Sequence, residues 1–276
     1  MDARVQRRVQ RYGWDLAAQD YELLWRAQLA DAQRALLEAA APAPGERVLD
    51  VACGTGLVAL EAARAVGVEG RVLGVDLSDR MVDAARARAQ ARSLRHADFA
   101  RMDGEALALP DGGFDVALSA LGLMYMPDPL QALREMRRVL RPGGRMVAAV
   151  WGERARCGWA SVFPIVEAEV ASDVCPLFFG LGQQDALARL FAEVGCARVA
   201  SRRITTSLAY ADADQACDAA FVGGPVALAW SRFDAGVRQR VRERYEASIS
   251  SWRRGAGYEV PGEFVIVSGV VPGSSS

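Results

Sequence analysis

Lysine is absent from this sequence, and histidine occurs once, as His96. All 33 strongly basic side chains are arginine, and they nearly balance 34 acids, leaving a formal charge of −1 at pH 7. So small a net charge offers no global attraction to nucleic acid, and no nucleic-acid partner is expected. The five cysteines, Cys53, Cys157, Cys175, Cys196 and Cys217, show no C-x-x-C spacing. With a lone histidine beside them they leave little for a metal site, and none is expected. They are expected to be free thiols in a cytoplasmic protein. No run of about 18 apolar residues occurs, so no membrane span is expected. Residues 1–10 are charged and lack an apolar core, unlike a secretory signal. What is present is a 276-residue chain, 51% hydrophobic, enough for one large domain or a domain plus a cap.

The organising stretch is Val48-Leu49-Asp50-Val51-Ala52-Cys53-Gly54-Thr55-Gly56. A β-branched and apolar run meets an acid and then a turn with two glycines, and the helix-forming Leu57-Val58-Ala59-Leu60-Glu61-Ala62-Ala63 follows. Glycine lets the backbone approach a ligand closely, and the next helix offers free N–H groups and a positive dipole end. The pattern is that of a nucleotide-like cofactor site.

Around it the chain alternates. Residues 4–40 read as helices, with Ala18, Tyr21 and Trp25 on one face, broken by Pro42, Pro44 and Gly45. Strands are expected at 47–51, 71–76, 98–102, 114–119 and 145–151. Helices are expected at 56–66, 79–93 (capped by Ser78) and 128–140 (opened by Asp128-Pro129). Alternation at this spacing means a doubly wound, mostly parallel α/β sheet. After Trp151 a helix is expected at 159–172, another at 184–193, a strand at 197–208, mostly helix over 212–254 with a break at Gly223-Gly224-Pro225, and a last strand at 263–271. The expected organisation is a helical lid (1–44), a core (45–209 and 256–271) whose segment 152–185 is a variable substrate region, a helical insertion (210–255) and a frayed tail (272–276).

Two cofactors compete for the glycine turn. Gly54-Thr55-Gly56-Leu57-Val58-Ala59 satisfies G-x-G-x-x-A, and Asp76 lies 20 residues past Gly56, the spacing of a dinucleotide fingerprint. Three features favour S-adenosylmethionine (SAM) over NAD. The strand ends in Asp50, with Ala52 where a dinucleotide turn usually has glycine. A further acid, Asp103, follows strand three. No pyrophosphate clamp or second nucleotide half follows. SAM has no phosphate, and an acid beside the turn suits its ammonium but would repel a pyrophosphate.

Together with the stretch at 48–56, Gly74-Val75-Asp76-Leu77-Ser78, Met102-Asp103-Gly104-Glu105-Ala106-Leu107, residues 114–119 and Leu140-Arg141-Pro142-Gly143-Gly144-Arg145 resemble the successive motifs of class I SAM-dependent methyltransferases. The resemblance is to the small-molecule branch that includes the ubiquinone/menaquinone C-methyltransferases. It covers residues 15–151, and it extends to a lid-like Asp15-x-x-Ala18-x-x-Tyr21-Glu22-x-x-Trp25 and to a last strand from Val260. It implies a Rossmann-like seven-stranded sheet and SAM as cofactor. The loop Ala52, Cys53, Gly54 and Gly56 would lie under the methionine part, and Asp50 would orient the ammonium. Asp76 would hold the ribose, Leu77 and Met81 the adenine face, and Asp103 and Gly104 the adenine edge. Ser119 would sit near the sulfur, and Tyr21 would reach the carboxylate. Ala52 departs from the broader superfamily, which often has glycine there.

Methyl transfer is an in-line displacement governed by positioning, so a dedicated base is optional. Tyr125 is the candidate catalytic residue. His96 falls on the adenine side, away from the methyl group, and Glu105 beside it reads as loop support. Trp25, Met124, Tyr125, Trp151 and Arg154 are the candidate acceptor contacts, with Phe163, Phe178 and Phe179 adding apolar surface. Helices within 212–254 are expected to supply the far wall or a homodimer face. The expected activity is methyl transfer to a small molecule of quinol, phenolic or secondary-metabolite type. An NAD-linked oxidoreductase, a non-catalytic SAM-binding regulator and, more weakly, RNA methylation are the alternatives.

Overall fold

The computed structural model describes residues 3–170 and 178–273. Three helices come first: α1 (Ala3–Ala17), α2 (Tyr21–Trp25) and α3 (Ala30–Ala40). An alternating series follows: β1 (Arg47–Val51), α4 (Leu57–Val66), β2 (Arg71–Asp76), α5 (Asp79–Ala91), β3 (Ala97–Arg101), β4 (Phe114–Ala120), α6 (Pro129–Val139) and β5 (Leu140–Trp151). Then come α7 (Val162–Val170), α8 (Ala186–Glu193), β6 (Ala197–Tyr210), α9 (Ala213–Phe221), α10 (Ala227–Arg232), α11 (Ala235–Ile249), the two-residue β7 (Arg253–Arg254) and β8 (Gly257–Val270).

The strands make one sheet in the order β3-β2-β1-β4-β5-β8-β6, with β7 paired to β8 off that path. β1 to β5 pair in parallel, and β8 runs antiparallel to both β5 and β6. The fold is therefore the expected doubly wound, mostly parallel α/β sheet. Val48, Leu49, Asp50 and Val51 are all buried, because β1 is central and covered on both faces. α4 turns Val58, Ala59, Leu60, Ala62, Ala63 and Val66 inward, and its alanines let it lie close to the sheet. Ser78 Oγ accepts from the Met81 N–H at 3.1 Å to start α5, and Asp128 accepts from the Gln131 N–H at 2.9 Å to start α6. His96 is buried with its Nε2 2.8 Å from the Ala63 carbonyl, tying the end of α4 to the start of β3.

Four boundaries differ from the sequence expectation. The helix read through residues 15–25 is broken by a turn at 18–20. The last strand starts at Gly257, because its antiparallel register with β6 already pairs Tyr258 with Tyr210. Residues 141–144, expected as a turn before strand five, form an irregularity within β5, where the partner of Phe114 is Leu140 and that of Val116 is Arg145. Of the helix expected at 159–172, residues 162–170 are helical after a tight turn at Gly158–Ser161. Its last two residues, Cys175 and the end of the tail (274–276) lie outside the described residues. Among the described residues, no helix is long and apolar enough to cross a membrane.

β1 lies between β2 and β4. The chain runs outward from β1 through β2 and β3, then returns to the other side of β1 as β4. At such a reversal the loops beyond the carboxyl ends of the two strands leave in opposite directions, and a crevice opens between them.

Candidate cofactor and acceptor cleft

The crevice is a cleft of about 980 Å³ of free space, open to solvent on one side. Ala52 and Gly54 line it beyond β1, Asp76 at the end of β2 with Leu77 and Met81 after it, and Met102, Asp103, Gly104 and Glu105 beyond β3. Ala120 ends β4, Leu121, Gly122, Met124, Tyr125 and Met126 follow it, and Trp151 ends β5. Helices α1 and α2 close it with Arg7, Gln10, Trp14, Tyr21 and Trp25, and Trp159, Gly224 and Pro225 complete the wall.

Backbone conformation shapes the floor. Ala52, Gly54 and Gly56 have φ of 60°, 53° and 82°, all in the left-handed region. For Ala52 that costs about 1–2 kcal/mol relative to a glycine, strain held at the cleft itself. Leu121, on the facing loop after β4, is also left-handed at 63°. The two loops are pressed together at Gly122, where an added Cβ would lie 2.4 Å from the Ala52 Cβ. Gly122→Ala is therefore expected to lower stability by about 1–3 kcal/mol through overpacking. Thermal denaturation checks this; an unchanged melting temperature would mean that the two loops part freely.

The acids beneath and beside the floor are held differently. Asp76 Oδ2 accepts from the Gly54 N–H at 2.8 Å and Oδ1 from the Ser78 N–H at 2.9 Å. A carboxylate offers about four lone-pair positions, so two remain for a ligand. Burial pushes this carboxyl upward, and the backbone donors oppose the shift. Asp50 is 1% exposed, and neither of its oxygens has a hydrogen-bond donor. Burial first, and the charge of Asp76 second, push its carboxyl up to about 8. The Ala59 N–H offsets part of that from outside hydrogen-bonding geometry. Burial, followed by the charges of Asp76 and Asp50, raises the Tyr21 phenol well above its ordinary range, so it stays a neutral O–H.

Asp103 accepts from the Glu105 N–H at 3.0 Å and meets Arg7 Nε at 3.0 Å. Arg7 Nε also donates to Glu105 at 2.6 Å. Glu105 is buried and accepts from the Asp128 N–H at 2.6 Å, so it supports the loop while anchoring α1. At the other end of α1, Asp15 accepts from Ser78 Oγ at 2.6 Å.

The opposite half of the cleft is aromatic. Trp14 meets Tyr21 and Tyr125 edge to face, with centroids 5.7 and 5.0 Å apart, and Tyr125 meets Phe178 at 5.3 Å. Trp159 packs on Trp25 at 5.8 Å and on Trp151 at 4.8 Å. The Trp25 indole N–H donates to the Ala219 carbonyl at 3.2 Å, whereas the buried Trp159 N–H has no acceptor.

Several residues singled out from sequence do not line this cleft. Asp50 and Cys53 lie behind the floor, and Gly56 caps α4 against Phe99. Ser119 is fully buried behind Gly122, its Oγ without a partner. Arg154 sits on an exposed turn, and its neighbour Arg156 pairs with the buried Glu263 at 3.5 Å. Sequence reasoning missed Arg7, Gln10, Trp14 and Trp159 as cleft residues. Arg7, Gln10 and Trp14 stand at steps of three and four within one helix, a one-face spacing that is the signal for them. Gly224 and Pro225 signalled only a helix break.

Residues 48–144 match the family model described as "Methyltransferase domain". The chain is 36% identical over 119 residues to a demethylmenaquinone methyltransferase of Listeria welshimeri serovar 6b, covering 43% of this chain and 50% of that protein. It is 33% identical over 133 residues to the aklanonic acid methyltransferase DauC of Streptomyces sp. (strain C5), covering 48% and 60%. The matches thus span about half the length of these curated relatives. Among solved structures, a SAM-dependent methyltransferase from Aquifex aeolicus superposes with a TM-score of 0.53 at 17% identity, over 89% of this chain and 92% of that one.

Proposed function

We propose that this chain, whose residues 48–144 match a methyltransferase-domain family model and whose fold is like that of a solved SAM-dependent methyltransferase, transfers a methyl group from SAM to a small, largely apolar acceptor. The observation that carries this is a pair of acids at the floor: Asp50 just behind it with no donor on either oxygen, and Asp76 with two lone-pair positions to spare. A bound cation favours the ionised form of Asp50, whereas a pyrophosphate would hold it protonated and meet the charge of Asp76, so the pair favours a cationic ligand bearing hydroxyls. The residues present fit SAM on these grounds.

Bound here, SAM supplies an electrophilic sulfonium methyl. The chain's own contribution is to hold and orient. Asp76 accepts from the ribose hydroxyls, while Leu77, Met81, Asp103 and Gly104 bound the adenine pocket. The backbone of Ala52 and Gly54 carries the methionine part, and the Asp50 charge attracts its ammonium from behind the loop. Tyr21 offers a neutral O–H above it. Trp14, Trp25, Tyr125, Trp151 and Trp159 enclose the acceptor and exclude water. A wall of flat rings favours a planar acceptor. Where the acceptor must lose a proton, Tyr125 is the group on that wall able to carry it.

Calorimetry with SAM and with NADH, followed by screening quinols, phenols, amines and thiols for S-adenosylhomocysteine release, tests this reading. SAM binding without NADH binding, with release from the phenol or quinol class, is expected. NADH binding without SAM binding would overturn the reading in favour of an oxidoreductase. SAM binding with no release from any class would leave a non-catalytic regulator.

A further inference from the structure

The outward face of α1 carries chemistry that the cleft does not use. Helical spacing puts Arg7, Gln10 and Trp14 on one side, and all three line the cleft. The opposite side presents Val5, Val9, Tyr12 and Leu16 at steps of four, three and four residues, 39%, 38%, 47% and 47% exposed. In line on one helix, these make an apolar stripe rather than scattered surface hydrophobics.

The charges beside the stripe are mostly of one sign. α1 contains Arg4, Arg7, Arg8 and Arg11, and its one acid, Asp15, is in the last turn, accepting from Ser78. No acid stands in the first turn, where the helix dipole already places positive partial charge. Arginines gathered at that end are locally unfavourable, and an anionic surface reverses the sign of the effect. Arg11 lies over the Tyr12 ring, its guanidinium carbon 4.9 Å from the centroid, which sets a cation alongside the stripe.

We propose that α1 docks on an anionic lipid surface, with Val9, Tyr12 and Leu16 entering the headgroup boundary and Arg8 and Arg11 meeting lipid phosphates. A second copy of the chain is the poorer occupant, because it would set one arginine-rich flank against another. Since the inner face of the same helix is a wall of the cleft, docking holds that wall at the lipid surface. The inference does not depend on methyl transfer.

Sedimentation of the full chain with phosphatidylcholine vesicles, with and without phosphatidylglycerol, tests it. Binding to the anionic vesicles is expected to be about tenfold or more tighter, and to weaken as salt rises. Val9→Asp is expected to reduce it about tenfold. Arg8→Gln, which keeps both helix and stripe, should weaken it several-fold. Val68→Asp, at an exposed apolar residue after α4, should leave it unchanged. Equal binding to both vesicles, no binding to either, or full binding by both Val9→Asp and Arg8→Gln overturns the proposal. A dimer that Val9→Asp dissociates, without vesicle binding, also overturns it and assigns the stripe to a second copy.

Discussion

Asp76→Ala is expected to weaken SAM binding by about 100-fold or more, and to lower kcat/KM at least as far. Two losses combine. The ligand loses an ionised acceptor for its hydroxyls, and the Gly54 and Ser78 N–H groups lose the oxygens they donate to at 2.8 and 2.9 Å. An unpaired buried N–H costs about 1–3 kcal/mol, and relief comes by moving the loop that the cofactor rests on. Asp76→Asn should fall between, since its amide keeps one oxygen but turns an N–H toward a backbone donor. Calorimetry with SAM measures the effect, and circular dichroism separates it from unfolding. Binding by Asp76→Ala within about threefold of the parent chain would remove Asp76 from the cofactor site.

The second large effect is a pH dependence that Asp50→Asn removes. The Asp50 carboxyl sits at about 8 in the folded chain, against an ordinary value of 3.8. Between those values the folded state holds a proton that the unfolded chain has released. Stability therefore falls as pH rises above about 4 and levels off above about 8. A bound ammonium acts in the opposite sense by favouring the charged carboxylate. Below pH 8 cofactor binding should thus release a proton, and affinity should rise with pH by up to about tenfold per unit before levelling off. Calorimetry in buffers of different ionisation enthalpy reads the proton directly. Asp50→Asn should bind SAM about tenfold or more weakly at pH 8, with neither proton release nor a pH slope below 7. Equal slopes in the two proteins would place the cofactor's cation elsewhere.

The fold was legible because its signals are local. β-branched runs such as Val48–Val51, the caps Ser78 and Asp128, and the breaks at Pro42 and Gly45 act within a few residues. Boundaries failed where a distant neighbour decides them. Gly257 enters a strand because Tyr210 is there to pair with its neighbour Tyr258. The cofactor half of the cleft was legible for a related reason. Gly54, Asp76 and Asp103 each end a strand or follow one, and parallel strands deliver such positions to one edge of the sheet. The acceptor half was less so. Trp14, Trp159 and Pro225 come from three separated segments and meet only in the folded chain.

Sequence alone thus determined the alternating elements, the glycine turn and the acids at the strand ends. Each rests on backbone preference and spacing, which a linear chain already contains. Tertiary structure alone decided that Asp50 lies sealed behind the floor, that Arg7 bridges Asp103 and Glu105, and that α1 has one face for the cleft and one for its surroundings. Burial and the pairing of distant charges depend on which surfaces the fold removes from water, and local pattern does not carry that information.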